Sequence, residues 1–134
     1  MLVFTNGCFD LLHAGHLAAL RKYAELGRYL TVGINSDKSV RKIKGPSRPI
    51  LNEDERKFAL LSCRYVDEVH IFDEETALHL LMEIRPDIYV KGCEYRNKET
   101  PETRWCIENS VHVEYVDSGS NLSTSKLIRR IQNA

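Results

Sequence analysis

The stretch TNGCFDLLHAGH, Thr5 to His16, sets two histidines three positions apart behind an apolar opening. At the start of a helix that spacing puts both imidazoles, His13 and His16, on one face. They would lie beside backbone N–H groups that have no partner inside the helix. Such a pair could ligate a metal, hold a phosphate, or simply pack. A zinc site needs further ligands, and the sequence has neither an H-E-x-x-H motif nor a suitably spaced cysteine pair. The phosphate reading has more behind it. Gly7 allows a sharp turn toward a ligand, Gly15 removes a side chain between the histidines, and the following helix presents its positive dipole end.

Two further stretches carry groups of the same kind. VRKIKGPSRP holds Arg41, Lys42, Lys44 and Arg48 around one glycine and two prolines. A charge cluster of this sort usually reads as a solvated loop; here it is a mobile lysine-bearing loop after the second strand. Ser123, Thr124 and Ser125 open the last helical pattern, where Ser123 alone would serve as N-cap. Asp10 is the acid nearest the histidines and could either meet substrate or cap the following turn.

Something must position these groups. Residues 2–5, 29–35, 68–72, 87–92 and 111–116 read as strands, and 15–26, 75–84 and 123–132 as helices. Another helix starts at Asn52, with Glu55 as its capping partner, and Ser36 with Asp37 could cap a short one. LVFT and YLTVGIN lack polar alternation, which suits strands covered on both faces. Strands separated by helices imply parallel units with right-handed crossovers. The expected fold is therefore α/β: a single Rossmann-like domain over 1–134, with a five-stranded parallel sheet and helices on both faces. In such folds ligands bind beyond the carboxyl ends of the strands, where the strand order reverses. The segments NGCFDLLHAGH, NSDKS, DEET, KGCEY and DSGSNLSTS would all gather on that edge.

Nineteen basic residues balance nineteen acidic ones. No global field draws the chain to nucleic acid or a membrane, and a polyanion site has to be local. No apolar run is long enough to span a bilayer, and the opening MLVFTNG shows no signal peptide. Cys8, Cys63, Cys93 and Cys106 lack C-x-x-C spacing. They read as reduced thiols of a cytoplasmic protein.

GCFDLLHAGH resembles the signature of the H-x-G-H nucleotidyltransferases, the cytidylyltransferase-like superfamily. NSDKSVRKIKGPSRPI, VKGCEY and STSKLI resemble the adenylyltransferase domain of ADP-heptose synthase. RYVDEV (64–69) is similar instead to glycerol-3-phosphate cytidylyltransferases. The similarity runs from Phe4 to about Ile131. It implies that the phosphate of a small phosphorylated substrate attacks the α-phosphate of a nucleoside triphosphate and releases pyrophosphate, without a covalent enzyme intermediate.

The resemblance also implies roles. His13, His16 and Lys44 would act on the triphosphate as catalytic groups. Mg²⁺ would bridge the triphosphate oxygens, with no protein side chain assigned to the metal. Thr5, Asn6, Gly7, Cys8, Phe9, Gly15, Gly92, Glu94, Ser123, Thr124 and Ser125 are the implied nucleotide contacts. Asp10, Asp37, Lys42 and Arg56 are implied on the substrate side. ATP with a heptose 1-phosphate-like acceptor is the leading expectation. CTP with glycerol 3-phosphate or a similar alcohol phosphate is the alternative, and a non-catalytic nucleotide-binding module stands behind both. A stand-alone transferase domain is expected, without the kinase domain often fused to such enzymes, and a homodimer by analogy. Two departures from the pattern stand out: Glu94 follows Cys93 where relatives carry a small residue and aspartate, and three residues separate Gly119 from Ser123. The loop Asp117–Leu122 is therefore the least transferable part.

Overall fold

The computed structural model describes residues 1–134. Strand β1 (Leu2–Gly7) runs between β2 (Tyr29–Asn35) and β4 (Ile88–Gly92), with β3 (Glu68–Phe72) and β5 (His112–Val116) on the outside. The order is β3-β2-β1-β4-β5 and every pair is parallel. The helices are α1 (Ala14–Ala24), α2 (Asp37–Lys44), α3 (Glu53–Leu61), α4 (Leu78–Ile84), α5 (Pro101–Glu108) and α6 (Thr124–Gln132). A single 3₁₀ turn, Cys93–Tyr95, follows β4. This is the expected Rossmann-like α/β sheet.

Side-chain alternation along the strands divides the interior in two. Val3, Val32, Ile34, Ile88 and Val90 pack on one face against Leu20 and Tyr23 of α1 and Leu60 of α3. Phe4 and Tyr89 turn to the other face, against Leu80 and Leu81 of α4 and Cys106 of α5. Strands buried on both faces favour apolar residues at successive positions, which is why LVFT and YLTVGIN are mostly apolar and lack polar alternation.

The chain builds β2 and β3 on one side of β1, then crosses to build β4 and β5 on the other. The reversal therefore falls between β1 and β4. Their pairing covers only Val3 with Ile88 and Phe4 with Tyr89. Two side-chain bonds continue the contact: Thr5 Oγ1 donates to the Val90 carbonyl at 3.0 Å, and the Tyr89 hydroxyl donates to Asn6 Oδ1 at 2.6 Å.

Two elements differ from the sequence reading. The short helix after β2 extends to Lys44, so most of the basic run is α2 and only Gly45 onward is loop. Ser36 starts it by accepting the Ser39 N–H at 3.2 Å. α5 was not visible in the apolar pattern, because eight residues are too few to show a period. Its marks are local: Thr100 accepts the Thr103 N–H at 3.2 Å, and Pro101 opens the first turn. No helix is long and apolar enough to cross a membrane.

Candidate active site

The loop leaving β1 holds Phe9 and Leu11 at φ of 51° and 50°. Non-glycine residues rarely adopt that conformation, and the surroundings must enforce it. Asp10 supplies the enforcement. It is buried, with Oδ2 accepting the Ile50 N–H at 2.7 Å and Oδ1 accepting the Leu51 N–H at 3.0 Å. The Arg48 Nε lies 3.6 Å from the same carboxylate. Asp10 thus clamps the loop after α2 to the loop after β1. Each oxygen holds one backbone amide and keeps a further lone pair, and Asp10 also lines the cleft between these loops, so the clamp stands beside the substrate role.

α1 starts on a cap made of two histidines. His13 is the N-cap residue, and its Nδ1 accepts the Gly15 N–H at 3.0 Å. His16 Nδ1 reaches back to accept the His13 N–H at 3.2 Å. This reciprocal pattern is the capping box that Ser or Thr and Glu more often form. The two rings stack with centroids 3.8 Å apart and planes 25° apart, and the Phe9 ring stands 5.3 Å behind His16. A ring nitrogen that accepts a hydrogen bond carries no proton, so each neutral ring carries its proton on Nε2. Burial, reinforced by the neighbouring His13, pushes the His16 pKa down to about 4, and burial also lowers that of His13. Both rings therefore enter the site as neutral Nε2–H donors, not as standing positive charges.

The start of α6 meets these rings directly. His13 Nε2 lies 3.5 Å from Thr124 Oγ1, and the Thr124 hydroxyl donates to the Asp10 carbonyl at 3.0 Å. Ser123 caps α6 by accepting the Lys126 N–H at 3.2 Å. Gly15 makes this approach possible. A Cβ there would lie 2.8 Å from His13 Cε1 and 2.9 Å from the Leu122 carbonyl oxygen. Lys22 of α1 and Lys126 of α6 hold the intervening loop, donating to the Asp117 and Asn121 carbonyls at 2.5 and 2.7 Å.

A cleft of about 770 Å³ opens between these segments, beyond the carboxyl ends of β1 and β4. That volume is ample for a nucleotide with a small acceptor. Thr5, Asn6, Gly7, Cys8, Phe9, Gly92 and Glu94 line it, as do His13, Gly15, His16, Ser123, Thr124 and Ser125. Two helix N-termini, those of α1 and α6, end in it, and each favours an anion. Lys44 lines it from the end of α2, whereas Lys42 is exposed outside it. Burial pushes the Cys8 thiol up despite the nearby Lys44 and Arg56, so it stays protonated and is a poor nucleophile.

Arg56 and Asp37 are elsewhere. Arg56 is fully buried, and its guanidinium donates to the carbonyls of Leu51, Cys8 and Asn35 at 3.0, 2.9 and 2.7 Å. Its remaining arm meets Asp37 Oδ1 at 2.9 Å. The pair ties the loop after β1 to β2, α2 and α3, and neither residue lines the cleft. Burial and these bonds commit the Arg56 guanidinium to the protein's own groups, and Asp37 Oδ1 to the guanidinium.

Lys91, Arg48 and Glu102 also line the cleft and were not singled out as site residues. Lys91 shares the second face of β4 with Tyr89, an alternation readable in YVKG. Glu102 lies on α5, so no pattern could have placed it. No three His, Cys, Asp or Glu side chains come together as a metal-holding group. Arg64 and Tyr65, in the stretch similar to glycerol-3-phosphate cytidylyltransferases, lie beside Leu17 and Arg21 in a separate surface depression.

Comparison with known proteins agrees with this geometry. The chain is 46% identical over 133 residues to the bifunctional protein HldE of Campylobacter concisus, covering 99% of this chain and 27% of that protein. It is 45% identical over 131 residues to HldE of Helicobacter pylori strain G27, covering 98% and 27%. The chain thus spans about a quarter of the length of these curated relatives. Among solved structures, the lipopolysaccharide core biosynthesis protein of Thermoplasma volcanium superposes with a TM-score of 0.70 at 27% identity, covering 87% of this chain and 94% of that one. Pantothenate synthetase of Thermus thermophilus shares the fold, with a TM-score of 0.57 at 17% identity over 87% of this chain and 54% of that one. The cytidylyltransferase-like family model matches residues 4–130. With the paired histidines at the switch point and that match running almost from end to end, the chain belongs to the cytidylyltransferase-like family of nucleotidyltransferases.

Proposed function

We propose that this chain is a nucleotidyltransferase domain that moves the adenylyl group of ATP onto a sugar 1-phosphate of the heptose 1-phosphate type. An oxygen of the acceptor phosphate forms a bond to the α-phosphorus, the bond from that phosphorus to the bridging oxygen of the β-phosphate breaks, and pyrophosphate leaves with the electron pair. The observation that carries the reading is the double histidine cap. With both Nδ1 atoms held by backbone amides, the Nε2–H groups are fixed donors beside two helix N-termini. Preorganised donors of this kind stabilise charge as it develops on phosphate oxygens. Lys44 adds a mobile positive charge, and the start of α6 adds hydroxyls and amides.

Mg²⁺ bound to the triphosphate would neutralise charge on the transferring and leaving phosphates. The choice of ATP and a heptose phosphate rests on the likeness of NSDKSVRKIKGPSRPI, VKGCEY and STSKLI to ADP-heptose synthase and on the identity to HldE. The one stretch favouring CTP lies outside the cleft, at Arg64 and Tyr65. A cytoplasmic homodimer completes the reading, and four unpaired thiols suit a reducing compartment.

Pyrophosphate release tests it, with Mg²⁺, each nucleoside triphosphate, and a panel of sugar 1-phosphates and glycerol 3-phosphate. Release with ATP and a heptose 1-phosphate is expected. Release only with CTP and glycerol 3-phosphate would move the chain to the other subfamily, and none with any pair would refute the enzyme.

A further inference from the structure

The cleft has a second cationic wall that the histidines do not reach. Lys91 ends β4 on the face shared with Tyr89, on the α4 and α5 side of the sheet, whereas α1 covers the opposite face. Its Nζ has no hydrogen-bond partner within the chain. It rests 4.1 Å from the Tyr95 ring centroid and 5.9 Å from that of Tyr89. Aromatic faces steady an ammonium without using its three N–H donors.

Two carboxylates accompany it. Glu102 is buried and commits Oε1 to the Ala77 N–H at 3.0 Å, while its Oε2 has no partner within the chain. Glu94 also lines the cleft. Burial draws the Lys91 pKa down while Glu102 and Glu94 oppose the shift.

A triphosphate would not be seated among carboxylates. A molecule with one phosphate and several hydroxyls would: the ammonium holds the phosphate, and a carboxylate accepts from the hydroxyls. The opposite wall, with His13, His16, Lys44 and the α6 start, already provides for the triphosphate. Resting on the transferase reading above, we infer that Lys91 is the residue that grips the phosphate of the acceptor, and that Glu102 selects a polyhydroxylated one. The acceptor is then a sugar phosphate, lying on the α5 side of the switch point with its phosphate facing the α-phosphorus.

Binding and turnover test this separately. Heptose 1-phosphate, glucose 1-phosphate and glycerol 3-phosphate are titrated by calorimetry onto protein saturated with Mg²⁺ and α,β-methylene-ATP. The unphosphorylated sugars serve as controls. The wild type is expected to bind the sugar phosphates and not the parent sugars. Lys91→Met should weaken that binding about thirtyfold, the loss of one charge-assisted contact. Lys91→Arg should recover most of it, and the analogue itself should bind both variants as it binds wild type. In turnover, Lys91→Met should raise the acceptor KM and leave the ATP KM in place. Equal acceptor binding by wild type and Lys91→Met, or no binding of any sugar phosphate to wild type, overturns the assignment. Lys91-dependent binding without pyrophosphate release refutes the transferase and keeps the site.

Discussion

The imidazoles of His13 and His16 lie face to face, 3.8 Å between centroids, and each gives its Nδ1 to a backbone amide of the same helix start. The capping edge and the Nε2–H edge are therefore opposite edges of the same rings, and a substitution can separate what each does. Asparagine is a good N-cap but has no group in the place of Nε2–H. His13→Asn should keep the fold and lower kcat/KM about 10²–10³-fold, the usual cost of removing one preorganised donor. Melting curves measured with the kinetics check it; near-normal activity would remove His13 from the phosphate site.

The lowered histidine pKa values predict a pH dependence of stability. Folding moves His16 from an ordinary 6.5 to about 4, so the unfolded chain binds more protons between those values. Stability is full above pH 6.5 and falls as pH drops toward 4, by at most roughly 3 kcal/mol for the whole shift. His13 adds in the same direction. Urea unfolding across this range should show a shallower decline for His16→Asn than for wild type. Identical profiles would contradict the neutral ring.

Lys44 and Lys42 offer a paired comparison on one helix. Lys44 lines the cleft and Lys42 is exposed outside it. Lys44→Ala should reduce kcat/KM for the triphosphate about 10²-fold, in the range of a lost charge-assisted contact. Lys42→Ala should stay within about twofold, as expected of a surface charge. Equal losses from both would mean that the basic run acts as a diffuse field.

Arg56 is predicted to matter for stability before chemistry. Its guanidinium holds three carbonyls and Asp37 in a fully buried site. Arg56→Met removes the charge and leaves Asp37 and three carbonyls without their partner, and should cost about 3–5 kcal/mol, as for breaking a buried pair. Denaturant midpoints measure this, and an unchanged midpoint would refute the structural role of Arg56.

The order of the strands, the parallel sheet and the helix start at GCFDLLHAGH with both histidines on it were legible in the sequence. They depend on local period, caps and short-range spacing, which the chain carries in one dimension. α2 and α5 were less so, because eight residues barely complete two turns. What tertiary structure alone decided is where charged side chains end. Arg56 and Lys91 are each a basic residue on a regular element, yet one is sealed under three carbonyls and the other lines the cleft. Asp10 stands beside the histidines in sequence, but its carboxylate faces the amides of Ile50 and Leu51, 40 and 41 residues away. Such partners meet only when the sheet order brings distant loops together at the switch point between β1 and β4. The histidine spacing announced a helix face; the amides that hold each Nδ1 decided which edge of each ring is left free.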